Sequence, residues 1–224
     1  MVSMEPTIIS HRVEENPNQP LVTVYNESKR ERIELSAQTL QLWVAKVTNL
    51  LGVSSYMEPG LISVAARPSW QSLIMWLGGA NFGIKVISSG IEPDTMFMVT
   101  DCRADLGNHD NFLTETFPYW EDAWGRTLFE LGKESLLDYY HAQSCLMSEL
   151  RIHSDTSNYP CVDPTQFNGT TRALIFGWHD QEDFDEKVTN RLAGSGSIVL
   201  VTGMASADRI QAIMEMEKVD EVIN

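Results

Sequence analysis

Two rhythms of apolar and polar residues run along this chain, and each predicts a kind of element. "LVTVY" (21–25) and "RIEL" (32–35) flank the polar stretch "NESKRE", which reads as a β-hairpin. Ser36 follows as an N-cap, since its hydroxyl can accept from the free N–H groups of a first helical turn. Leu40, Val44, Val47 and Leu51 then recur at helical spacing, Trp43 and Leu50 widen that face, and Gly52 ends it, so a helix is expected over 37–51. "LISVAA" (61–66) is an apolar strand between Pro59-Gly60 and Pro68. Ser69 caps the next helix, whose inward stripe is Trp70, Leu73, Ile74, Leu77 and Ala80, with Gly83 as its stop. "IKVIS" (84–88) and "MFMVT" (96–100) are further strands.

Residues 101–165 carry no regular rhythm and are expected to be irregular. Regularity returns with the strand "TRALIFGW" (171–178). A helix follows in "HDQEDFDEKVTNRLAG", with Asp180 as N-cap, acids in its first turn, Arg191 near its end and Gly194 beyond it. "SIVLVT" (197–202) is a strand, and "SADRIQAIMEME" is a helix with Ile210, Ile213 and Met214 inward. "EVI" (221–223) is a last strand. Strands and helices in close alternation give an α/β fold, a parallel-rich sheet flanked by helices on both faces. We read 1–224 as a single domain.

Composition narrows the function classes. A net charge of -15 repels phosphate backbones and anionic membrane surfaces, so neither nucleic acid nor membrane is an expected partner. No apolar run approaches the roughly 20 residues that span a bilayer, and the acidic N-terminal segment lacks the apolar core of a signal peptide. Three cysteines, Cys102, Cys145 and Cys161, form no CxxC pair, which suits a reducing compartment; a cytoplasmic location is expected. The sequon at Asn168 carries no weight there.

The candidate chemistry has a simpler structural explanation at each place. "LAGSGSIVLVTGMAS" (192–206) looks like a phosphate loop, but such loops follow a strand and open a helix. Here Gly194 and Gly196 close a helix and enter a strand, and only Gly203 comes after it. Glu182 and Glu186 stabilise a first helical turn without a metal. His141 and Cys145, with His153, Cys161 and His179, have no metal-site spacing. Asp138 and Glu149 are no better an acid/base pair than other carboxylates, and there is no GxSxG elbow. Trp70 and Trp76, with Leu73 and Leu77, read as core, with an aromatic partner surface as the alternative. No catalytic residue, metal or cofactor is therefore assigned.

"ELSAQTLQLWVAKVTNLLGVSSYMEPGLISVAARPSWQSLIMWLGGANFGIKVI" resembles the opening of acyl-CoA synthetases and other adenylate-forming enzymes. The carrying features are Glu34-Leu35, the helix to Leu51, Pro59-Gly60, the strand at 62–65 and the Ala80 to Val86 step. "RLAGSGSIVLVTGMASADRIQAIMEMEKVDEVI" is similar to the segment beyond their phosphate loop. The closeness of the first stretch suggests a small actinobacterial family related to that superfamily. The resemblance implies the fold of an adenylate-forming N-terminal subdomain. It implies less about activity, because "FNGTTRA" (167–173) only echoes the phosphate loop and lacks its second glycine and its lysine. The Mg-ATP segment, the ribose aspartate and the lobe with the catalytic lysine would lie beyond Asn224. A non-catalytic, truncated homologue that binds a small ligand or a protein partner is therefore expected. Surfaces that larger relatives bury would need cover, and a homodimer is the simplest form of it. The alternative is an enzyme with weak ATP or acyl-CoA binding, or one part of a split adenylating enzyme, with Arg172 as the residue to test.

Overall fold

The computed structural model describes residues 9–44, 61–65, 67–82, 85–88, 95–100 and 171–224. The expectations for 101–165, for the helix beyond residue 44, and for Gly52, Pro59-Gly60, Gly83, Cys102, Asp138, His141, Cys145, Glu149, His153, Cys161 and Asn168 lie outside these residues. The chain groups into two compact units. One takes in most of 42–159, and the other combines 6–41, 68–70 and 160–224.

In the first unit β3 (Leu61–Ala65), β4 (Lys85–Ile87) and β5 (Thr95–Thr100) form a parallel sheet in the order β4-β3-β5. Between β3 and β4 runs α3 (Trp70–Phe82), as a parallel pair requires. The sequence pattern predicts a stripe on this helix. Instead every residue from 72 to 79 is buried, Met75 and Trp76 included. A helix apolar all round is a core helix. Burial of Trp70 and Trp76 inside the chain removes the reading of this helix as an exposed partner surface.

The second unit is built on β1 (Pro20–Asn26), β2 (Glu31–Ser36), β6 (Arg172–Ile175), β7 (Ser197–Thr202) and β8 (Glu221–Ile223). Their order is β2-β1-β7-β6-β8, with β1, β7, β6 and β8 mutually parallel and β2 antiparallel to β1. The predicted hairpin is thus present, closed by a turn in which Arg30 takes a left-handed φ of 56°. Ser36 caps a helix, α2, whose described part is 37–44, and its hydroxyl accepts from the Thr39 N–H at 3.2 Å. A short helix that the sequence reading did not single out, α1 (Ser10–Glu15), precedes β1.

Beyond β6 runs α4, in three segments. Gln181–Phe184 is α-helical, Asp185–Thr189 forms a wider π turn, and Asn190–Ala193 is α-helical again. Asp180 caps it as predicted, accepting from the Asp183 N–H at 2.9 Å. After β7, Ser206 caps α5 (Ala207–Glu217), accepting from the Arg209 N–H. From β6, the chain reaches β7 on one side through α4, then β8 on the other side through α5. Right-handed crossovers in opposite directions put the two helices on opposite faces. Tyr25, Leu174, Val199 and Val201 meet Ile210, Ile213 and Met214 of α5 on one face. Their neighbours Val24, Ala173, Ile175, Ile198 and Leu200 point the other way and are also buried. Among the described residues, no helix is long and apolar enough to cross a membrane.

"LAGSGS" is held by a residue from the far end of the sequence. Gly194 is the C-cap of α4 but is extended, with φ -81°, so the turn needs no left-handed glycine. Arg12 of α1 reaches it instead. Its Nη1 donates to the carbonyls of Gly194 (2.9 Å) and Gly196 (2.8 Å), and the His11 ring lies 3.4 Å from the first of these. Arg12 is 1% exposed, and burial pulls its pKa below the ordinary arginine value. This turn therefore presents carbonyl oxygens to a cation, the reverse of a phosphate loop, which presents N–H groups to an anion.

Candidate functional site at the carboxyl edge of the five-stranded sheet

Helices on opposite faces leave a crevice where two parallel strands part, and open α/β sheets bind ligands there. In this sheet the crevice lies at the carboxyl ends of β6 and β7. Its walls are Phe176 to Asp180 and Gly203 to Ser206. Each wall carries a glycine with positive φ, Gly177 at 137° and Gly203 at 83°. Both are needed. A Cβ on Gly177 would sit 2.6 Å from Pro68 Cγ, and one on Gly203 would sit 2.6 Å from Ser28 Oγ. Gly177 also explains why β6 stops at Ile175, short of the strand expected to 178. Gly177→Ala is expected to lower stability by about 2 kcal/mol, from backbone strain and from crowding against the proline ring. A urea titration against the parent chain checks this; an unchanged midpoint would contradict it.

The first wall is braced from within α4. Asp183 accepts from the His179 N–H at 2.9 Å and pairs with Lys187, 2.9 Å away. Trp178 meets Phe184 edge-on at 5.0 Å. The groups left facing outward include two large apolar ones, Phe176 at 41% and Met204 at 98% exposed, together with the polar Asp180 and Ser206. His179 is exposed beside them, and Glu182 is exposed on α4. Among the described residues, no group of three His, Cys, Asp or Glu side chains is placed to hold a metal ion.

Arg172 is at the other edge of the sheet. As the first residue of β6 it pairs with Ser197, the first of β7. Its guanidinium lies under α5 and donates to Thr23 Oγ1 (2.7 Å), Ser197 Oγ (3.0 Å) and Glu217 Oε2 (2.8 Å). Glu217 also accepts from Tyr25 (2.6 Å) and from Arg32 Nε (2.9 Å) through its second oxygen. Burial alone would raise the pKa of Glu217, but the three hydrogen bonds outweigh it and hold the carboxyl at about 2. Tyr25 moves the other way: burial, then the bond to Glu217, push its pKa up.

Next to this network, at the carboxyl end of β1, is an open groove of about 290 Å³. Tyr25, Glu27, Arg30, Glu31, Arg32 and Arg209 line it. Arg209 forks onto Glu27 with contacts of 3.0–3.1 Å, and its guanidinium is 5.5 Å from the centre of the Tyr25 ring. Apart from Arg172, none of the residues of this network and groove was singled out from sequence, although one signal was present. Glu217 continues the inward series 210, 213, 214 on α5, and Arg172 shares the face of Leu174 two residues on. A charge in an inward register needs a buried partner.

No model of a known protein family matches the chain. A TIGR03089 family protein of Mycobacterium tuberculosis is 28% identical over 104 residues, 46% of this chain and 43% of that protein. An acyl-CoA synthetase of Brucella canis superposes with a TM-score of 0.60 at 15% identity, over 97% of this chain and 47% of that one. The N-terminal domain of FACL13 from Mycobacterium tuberculosis gives 0.57 at 8% identity, over 95% of this chain and 60% of that one. This chain therefore spans less than half the length of the first two. It has the fold of the N-terminal subdomain of adenylate-forming enzymes and is distantly homologous to the TIGR03089 family.

Proposed function

We propose that this chain is a binding protein built on an adenylate-forming fold. It takes a small ligand or a protein partner at the carboxyl edge of the five-stranded sheet and does not carry out adenylation by itself. Arg172 is the observation that carries the reading. It is the cation within the phosphate-loop echo, and its charge is spent on Glu217 at the amino edge, away from where open α/β sheets receive ligands. Adenylation depends on cations and donors aimed at the transferring phosphoryl group. Arg172 instead ties α5 to three strands. The crevice between β6 and β7 offers Phe176 and Met204, which suit an apolar ligand group or partner surface.

Exchange of pyrophosphate into ATP, measured with a panel of fatty and aromatic carboxylates, should stay at background for this chain. Exchange above background with any of them overturns the reading.

A further inference from the structure

Two arginines at the groove beside β1 are held from behind. Arg209 uses Nε and Nη2 on Glu27. Arg32 uses Nε on Glu217 and Tyr25, and Nη2 on Glu34. In each guanidinium Nη1 has no acceptor among the described residues, and both side chains are about 40% exposed. Arg30 lines the same groove and has no carboxylate partner among the described residues. Three cations thus converge on about 290 Å³, two of them with their planes already fixed by ion pairs. Fixed guanidinium forks match the oxygens of phosphate, and pre-fixing removes part of the ordering cost of binding.

We propose that this groove binds a phosphate-type oxyanion through Arg30 and the free Nη1 groups of Arg32 and Arg209. The proposal goes beyond the binding reading above: it adds a second site, at the carboxyl end of β1, to the crevice between β6 and β7. Two carboxylates also line the groove and oppose such a ligand, Glu27, whose charge is paired with Arg209, and Glu31, which sets the main limit on its affinity. The net charge of -15 does not forbid it, since at physiological salt charges beyond about 8 Å are largely screened. The volume suits one phosphate group with a small substituent rather than a whole extended cofactor.

The test is calorimetric titration of the full chain with inorganic phosphate and, separately, with AMP. Phosphate is expected to bind with a dissociation constant of about 1 mM. Arg30→Gln should weaken binding about 10-fold, one lost charge-assisted contact. Glu31→Gln should tighten it about 3-fold by removing the opposing charge. Both positions are exposed, so both variants should keep the parent unfolding midpoint. AMP binding tighter than phosphate identifies a nucleotide monoester as the source; equal or weaker binding identifies the free anion. No heat from either ligand up to about 20 mM, or an affinity that neither substitution changes, overturns the proposal. Failure here leaves the non-adenylating reading standing, and pyrophosphate exchange would leave the groove standing.

Discussion

Replacing Arg12 by alanine should lower the stability of the second unit by about 4 kcal/mol, the largest loss expected from one side chain. Two effects add. The carbonyls of Gly194 and Gly196 lose the Nη1 donor that now satisfies both, inside a site too buried for water to replace it freely. Removing a long, fully buried side chain also leaves a cavity beside α1. Arg12→Met separates the two, because it fills most of the volume and donates nothing; about half the loss should return. Urea titrations of the parent and both variants measure this. Equal losses in the two variants would mean that packing contributes little. A loss under about 1 kcal/mol in Arg12→Ala would mean that the turn holds itself.

Glu217 should give the next largest effect, and a distinctive one in acid. Glu217→Ala strands the charge of Arg172 under α5, while Arg32, exposed and still held by Glu34, loses one partner; the change should cost about 3 kcal/mol. The pH dependence follows from the carboxyl held at about 2 against an ordinary 4.5. Since the folded pKa lies below the unfolded one, the unfolded chain takes up the proton first. The contribution of Glu217 is therefore complete above about pH 4.5, shrinks as pH falls, and is gone below about 2. Its size is on the order of 3 kcal/mol. Glu217→Gln keeps the shape and cannot titrate, so the stability gap between parent and variant should close over that window. A gap that stays constant from pH 5 to about pH 2.5 would contradict the assignment.

Most of the fold was readable because its elements announce themselves twice, by period and by cap. Ser36 and Asp180 stand where an apolar rhythm changes from two to 3.6, and both accept from a first-turn N–H as expected; Ser206, not singled out from sequence, does the same for α5. The tail of β6 misled because "FGW" continues the apolar run, while Gly177 turns the backbone out of the strand. α3 misled because a fully buried helix has no polar face to define its stripe. The site was harder still. Arg12, Arg172 and Glu217 meet partners between 25 and 192 positions away, and no local pattern links them. Their one trace in the sequence is a charge standing in an inward register, which says that a partner exists without saying which.

The π turn in α4 solves a problem of rotation. Phe184, Val188 and Leu192 are all fully buried, and they are spaced four apart. In a plain α-helix each step of four overshoots a full circle by about 40°, so the third side chain would be about 80° out of line with the first. The wider turn over Asp185–Thr189 lies across these steps and takes up part of that excess. One helix can therefore keep three bulky side chains in line on the sheet while its N-terminal turn stays aimed at the crevice wall that Asp180 and Asp183 hold.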